Sequence, residues 1–204
     1  EVNYNFSKNI VTKEDRNRLI NYKEILKTTK IFNSKIINLD NYLKSLNMNL
    51  TIKKKSAKNF DRAIQLINKT NQFNLNGIRL SKKKILKIIS NKGNLITGSY
   101  KDNISDYGEI IAILIDKNGK VLSFVMSCRV FQRKIEHAFI FDIVKRNFKI
   151  NELNYIKTDK NEPIRNFIFN DLNGFIDKKQ NFIDKRKYID FFKNKDKLFK
   201  IKYT

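Results

Sequence analysis

Apolar residues along this chain change their spacing several times, and each change marks an element. In "KNFDRAIQLINKT", Phe60, Ala63, Ile64 and Ile67 recur at steps of three and four, which places them on one helical face. "SKKKILKIISN" reads as a second, basic amphipathic helix opening at Ser81. Three strand-length runs follow: "NLITGSYK", "YGEIIAILID" and "KVLSFVMSCR". Asn118-Gly119 between the last two predicts a two-residue hairpin with positive φ at both positions. "RKIEHAFIFDIVKRNFK" is too long for a strand and apolar on more than one face, as expected of a helix packed on a sheet. "ELNYIKT" predicts another strand. "KNEPIRNFIFNDLNGF" predicts a helix with Pro163 in its first turn and Gly174 as a left-handed C-cap. "NFIDKRKYIDFF" predicts closing strands. Upstream, "VTKEDRNRLINYKEILKTTKIF" reads as a helix begun by Thr12 and Asp15, and "NLDNYLKSLN" as a short helix capped by Asn38. "NLTIKKK" alternates as a strand.

Collected, residues 49–190 read β-α-α-β-β-β-α-β-α-β(-β). This order predicts an α/β domain with a Gcn5-related N-acetyltransferase-like mixed sheet flanked by helices, carrying an N-terminal helical appendage. The expected division is 1–47 for the appendage and 48–204 for the acyltransferase-like domain. In that fold the fourth strand splays from the fifth. The pantetheine arm of an acyl carrier lies in the gap, its phosphate at the N-terminus of the following helix.

Composition narrows the classes. At 41% hydrophobic residues the chain can bury a core, and no apolar run approaches the length of a membrane span. One cysteine excludes an intrachain disulfide and suits a cytoplasmic setting. The net charge of +23 invites nucleic acid, but the basic residues look scattered apart from "KKK" at 53–55 and 82–84. Abundant Lys, Asn and Ile also share A/T-rich codons, so the expectation is no nucleic-acid partner. No metal-ligand spacing is present. The chain opens on Glu1 rather than Met, as a fragment of a longer protein would.

Four segments, "RAIQLINKTNQFNLNGIR", "DNISDYGEIIAIL", "FVMSCRVFQRKIEHA" and "IKTDKNEPIRNFIFNDLNGF", are similar to the C-terminal region of FkbH-like proteins, in that family's order. Such proteins join a haloacid-dehalogenase-type phosphatase domain to an acyltransferase-like domain. The resemblance implies transfer of a glyceryl-type acyl group from a phosphorylated three-carbon donor, through an enzyme cysteine, to the phosphopantetheine thiol of a carrier protein. It implies no tightly bound cofactor, with the carrier's arm or coenzyme A as acceptor. It also implies two partners: an acyl carrier protein, and a phosphatase domain in cis or in trans. "NLDNYL" lacks the second aspartate and the threonine of an Asp-x-Asp-x-Thr phosphatase loop, so dephosphorylation is not expected from this chain.

The residues give this reading its candidates. Cys128, at a strand end before a helix, is the expected nucleophile, because a thiolate is favoured near a helix N-terminus. Arg129 and Arg133 would add positive charge for thiolate and phosphate. His137 and Glu136 are the candidate bases when the carrier thiol attacks. Asn71, Gln72 and Asn74 would contact substrate or carrier arm, or else simply cap the helix before them. Lys160 and Asn161 would bind acyl or phosphate oxygens, or else cap the next helix. Two rival readings remain: an acyl-CoA-dependent N-acyltransferase needing no cysteine, and a non-catalytic carrier-docking domain.

The chain departs from the family in one telling place. Where FkbH-like proteins carry glycines, in "RVMGRGVE", this one reads "RVFQRKIE", with Gln132 and Lys134. Loss of both glycines counts against a coenzyme A pyrophosphate loop, which needs close backbone approach.

Overall fold

A computed structural model of the chain describes residues 39–56, 60–177, 182–193 and 198–204. The helix expected at 11–32, with Thr12 and Asp15, and the Asn38 cap lie outside the described residues. The chain divides into two units, Glu1–Tyr42 and Leu43–Thr204. The second is α/β, with a seven-stranded mixed sheet flanked by helices.

The elements are α1 (Leu39–Ser45), β1 (Met48–Lys55), α2 (Asp61–Lys69), β2 (Phe73–Asn74), α3 (Lys82–Ser90), β3 (Asn94–Lys101), β4 (Asp106–Ile115) and β5 (Lys120–Met126). They continue as α4 (Ile135–Lys145), β6 (Glu152–Leu153), α5 (Glu162–Asn166), β7 (Ile176–Asp177), β8 (Phe182–Ile183), α6 (Lys185–Lys193) and β9 (Phe199–Tyr203). The sheet runs β2-β5-β4-β3-β1-β9, with β6 also on the edge of β5. β1, β3, β4 and β5 pair antiparallel in sequence, while β6 joins β5 in parallel and β9 joins β1 in parallel.

β4 is buried from Ile110 to Ile115, which is why its sequence is an unbroken apolar run rather than an alternating one. On one side, Phe60, Ala63, Leu66 and Ile67 of α2 and its entry, with Ile85 of α3, pack on Leu95, Ala112, Leu114 and Val125. On the other, Phe139 of α4 stacks on Phe124 at 6.2 Å. α4 is apolar nearly all round because it is enclosed between the sheet and α6, where Phe141 meets Phe192 at 4.8 Å. Ser81 caps α3 by accepting the Lys84 amide. Among the described residues no helix is long and apolar enough to cross a membrane.

Four local expectations give way. The β4–β5 turn is not the expected hairpin: Gly119 has φ +86°, Asn118 is not left-handed, and Asp116 Oδ1 instead accepts the amides of Asn118 and Lys120. The Asp side chain organises a longer turn, with glycine only at its last position. Of "ELNYIKT" only Glu152–Leu153 pairs as strand. The helix at 162 loosens after one turn into a π segment, Phe167–Asp171, and Gly174 sits in a short 3-10 turn without positive φ. Of "NFIDKRKYIDFF", Phe182–Ile183 is a short strand paired with β7 and the rest is helix α6, because Asp184 Oδ1 accepts the Arg186 and Lys187 amides while Tyr188 and Phe192 bury one helical turn apart. The strand that closes the sheet, β9, lies beyond it.

Gly98 sets how closely α4 approaches the sheet. A Cβ there would lie 2.6 Å from Ile111 Cγ2, 3.2 Å from Phe139 and 3.3 Å from Leu50. Gly98→Ala is therefore expected to lower the unfolding free energy by about 1–3 kcal/mol through overpacking. Urea titration of the variant against the parent chain measures this, and an unchanged midpoint would contradict it.

Candidate active site

β5 delivers the chain to the expected nucleophile. The Ser127 amide donates to Ile110 O at 2.8 Å, and Cys128–Val130 then forms a 3-10 turn in which Val130 is buried and Cys128 exposed. Phe131 follows at φ −58°, ψ 156°, and Gln132 at φ +66°. This pair has the shape of a type II turn, whose third residue is ordinarily glycine. Lys134 is also left-handed, at φ +58°, and stands as the N-cap of α4 without a side-chain capping bond. The two positions that carry glycine in FkbH-like sequences are thus both left-handed here, though neither is glycine. Each costs about 1–2 kcal/mol relative to a relaxed backbone.

Arg133, between them, turns inward. Its Nε donates to Asp102 Oδ2 at 3.3 Å and its Nη2 to the Tyr107 hydroxyl at 3.1 Å, and its guanidinium lies over the rings of Tyr100 and Tyr107. Asp102 Oδ2 also receives the Tyr100 hydroxyl at 2.7 Å, and Oδ1 receives the Ile104 and Ser105 amides. Burial, then the Asp102 hydrogen bond, holds the Tyr100 phenol well above its ordinary range. Arg133 therefore pins the turn to the β3–β4 connection, where the sequence suggested a phosphate partner. Arg129 is half-buried and donates from Nε to Ser127 Oγ at 3.3 Å.

The amide-rich segment after α2 is mostly spent on backbone. Asn68 exchanges two bonds with Leu80, and Asn74 Oδ1 accepts the Asn76 and Gly77 amides while its Nδ2 donates to Thr70 O. Asn76 donates to Leu122 O and Asn154 O. Asn161, buried, donates to Asn74 O and Ile156 O and accepts the Thr158 amide. Asn71 accepts from Arg79, which also donates to Ile67 O and Thr70 O at the end of α2. Gln72 and Lys160 are exposed.

These bonds have a consequence for the expected pantetheine gap. The outer edge of β5 is occupied by the chain itself: Phe73 pairs with Met126, Asn74 with Val125, and the Leu75 amide donates to Phe124 O. The Ile156 amide then donates to Leu75 O. Residues 73–75 thus lie between β5 and the chain leaving β6, where the sequence predicts a gap.

A second polar group gathers around α4. His137 Nδ1 lies 3.3 Å from the Tyr188 hydroxyl and Nε2 lies 3.5 Å from Asp171 Oδ2, and the Tyr188 hydroxyl is also 3.2 Å from His137 O. Phe167 packs edge-on against the imidazole at 5.0 Å. Glu136 Oε2 is sealed from solvent with no hydrogen-bond partner among the described residues. Burial first, and then the neighbouring Asp171 charge, push its carboxyl from 4.5 up to about 7. Burial likewise holds the Tyr188 phenol well above its ordinary value. Asp171 and Tyr188 were not foreseen. The π turn rotates Asp171 out of the register a regular helix would give it, and Tyr188 belongs to a helix that was read as strand.

No family model, curated protein or solved structure matches the chain.

Two outcomes follow from this geometry. Gln132→Gly and Lys134→Gly are each expected to raise stability by up to about 1 kcal/mol, since glycine takes positive φ without a Cβ clash. A lowered melting midpoint for both would contradict the left-handed turn. Glu136 is a carboxyl whose folded pKa lies above its unfolded value, so the folded state holds the extra proton between about pH 4.5 and about 7. Its contribution is fully present at low pH and is lost as pH rises through the folded pKa. Across that window, parent stability relative to Glu136→Gln should fall by about 2–3 kcal/mol. Chemical denaturation at stepped pH reads the difference, and parallel curves would refute it.

Proposed function

We propose that this chain is an acyl-transfer domain in which Cys128 carries a glyceryl-type acyl group as a thioester and yields it to the phosphopantetheine thiol of a carrier protein. The single observation that carries this reading is the pair of left-handed residues, Gln132 and Lys134, at the two positions where FkbH-like sequences have glycine. A strained backbone retained without its natural residue points to a turn held for its geometry. The strand order β1-β3-β4-β5-β6, antiparallel and then parallel across α4, agrees with an acetyltransferase-like sheet. The parallel strand β9 beside β1 lies outside that likeness.

The chemistry balances as two acyl transfers. The Cys128 thiolate attacks the carbonyl carbon of an acyl phosphate, the S–C bond forms, and the C–O bond to phosphate breaks, releasing phosphate. The carrier thiol then gives its proton to a base and attacks the thioester, and the bond to Cys128 breaks with the thiolate restored. Of the two candidate bases, His137 has both ring nitrogens facing partners, Tyr188 and Asp171, and Glu136 has an uncommitted oxygen that is sealed from solvent. Neither is the readier base, and either would need the carrier's approach to open it. With the edge of β5 filled, the arm would approach over the exposed 128–134 turn. The polar contacts expected of Asn74, Asn161 and Arg133 would pass to Gln72, Arg129 and Lys160.

A second reading, carrier docking without chemistry, is favoured by one observation: Asn74, Asn161 and Arg133 are buried and committed to the protein's own groups. Intact mass spectrometry separates the two. After incubation with 1,3-bisphosphoglycerate the parent chain should gain a 3-phosphoglyceryl mass, the C1 phosphate having left and the 3-phosphate having stayed, that Cys128→Ala lacks, and adding a phosphopantetheinylated carrier should remove it. Carrier binding by the folded chain with no adduct would replace the transfer reading with the docking one.

A further inference from the structure

Folding collects charge that looks dispersed along the sequence. Residues 61–92 contain eight Lys and Arg (Arg62, Lys69, Arg79, Lys82, Lys83, Lys84, Lys87, Lys92) and one carboxylate, Asp61. Residues 93–177, a much longer stretch, carry twelve Lys and Arg against eleven Asp and Glu. A codon bias toward lysine acts on the whole chain alike and cannot produce this contrast. The tail, 178–204, is also basic but interleaves three Asp.

All eight cations of 61–92 are exposed, and they sit on or beside α2 and α3, which pack on one face of the sheet. α2 and α3 pack side by side on the same sheet face through Ala63, Ile67 and Ile85. Lys82 bridges their N-terminal ends, 2.9 Å from Asp61 and over the Phe60 ring. Arg79 closes the opposite end against the carbonyls of Ile67 and Thr70. Among the described residues Lys82 alone of the eight is in an ion pair. Among the described residues the other charges have no carboxylate within ion-pair distance, so they repel one another and attract a polyanion.

We propose that the solvent face of α2 and α3 binds the phosphate backbone of a nucleic acid without regard to sequence. An acidic protein would present the same sign of charge. Protein interfaces, however, are built around an apolar centre, and of the exposed large apolar residues, Ile104, Ile156, Phe169 and Phe191 all lie outside this segment, leaving a single one, Ile78, within it. Phosphate contacts need no such centre, and their affinity comes from releasing counterions. The face also lacks exposed aromatic side chains for base stacking, so it suits a duplex backbone better than a single strand.

The test is fluorescence anisotropy of the full chain with a labelled DNA duplex of about 20 base pairs, between about 50 and about 200 mM salt. Binding should be indifferent to duplex sequence and weaken steeply with salt. The variant Lys83→Gln/Lys84→Gln/Lys87→Gln should lose at least about tenfold in affinity and about three units of salt slope, roughly one per lysine. Lys117→Gln/Lys145→Gln/Lys157→Gln removes the same charge from the balanced stretch and should behave as the parent. All variants should keep the parent's thermal midpoint, since the changed side chains are exposed. No binding at low salt, or equal loss from both triple variants, overturns the proposal. Poly-L-glutamate competing as well as unlabelled duplex would overturn it in favour of an acidic protein.

Discussion

The ion pair between Arg133 and Asp102 governs the region around the cysteine. A buried guanidinium is costly unless its charge and donors are met, and here Asp102, Tyr107 and the ring faces of Tyr100 and Tyr107 meet them. Reaching that site requires the backbone to turn sharply on either side of Arg133, which is what the left-handed Gln132 and Lys134 accomplish. The strain of those two residues and the pairing of the third are one device. Together they fix where β5 ends, where α4 begins and how Cys128 is presented between them.

The edge of β5 shows the same economy with neutral groups. An open strand edge is a row of unpaired amides and carbonyls. The chain covers this one with Phe73–Leu75, and supplies side-chain amides from Asn74, Asn76 and Asn161 where strand geometry fails. Three asparagines thus do what a longer strand would do. The rings of Phe73, Phe124 and Phe167 pack around the same join. With the edge closed, the proposed acyl transfer would have to reach the exposed Cys128 over the turn outside it.

Two regions of unlike character result. Around α4, burial first and the Asp171 charge raise the Glu136 carboxyl, and burial first with the Glu136 and Asp171 charges raises the Tyr188 phenol. Across α2 and α3, the cations other than Lys82, which pairs with Asp61, are exposed and out of ion-pair reach of the described carboxylates. The first region is tuned by desolvation and the second by long-range charge, so ionic strength would change the second far more than the first.

Much of the fold was legible in the residues alone. The unbroken apolar run of β4, the three- and four-residue steps of α2, and the all-round apolar α4 each identify their element, because burial on both faces or one leaves a distinct period. The Ser81 cap and the first-turn Pro163 were equally plain, since both act through local backbone groups. What the residues could not decide was everything set by a partner distant in sequence. β2 and β6 are strands only because the edge of β5 is there to pair with them. Asn74, Asn161 and Arg133 read as reactive polar groups along the chain, and became structural ones when folding buried them against the carbonyls, carboxylate and hydroxyl they now satisfy. Whether a polar side chain serves a ligand or its own backbone depends on where the rest of the chain places its partners, and that is decided in three dimensions.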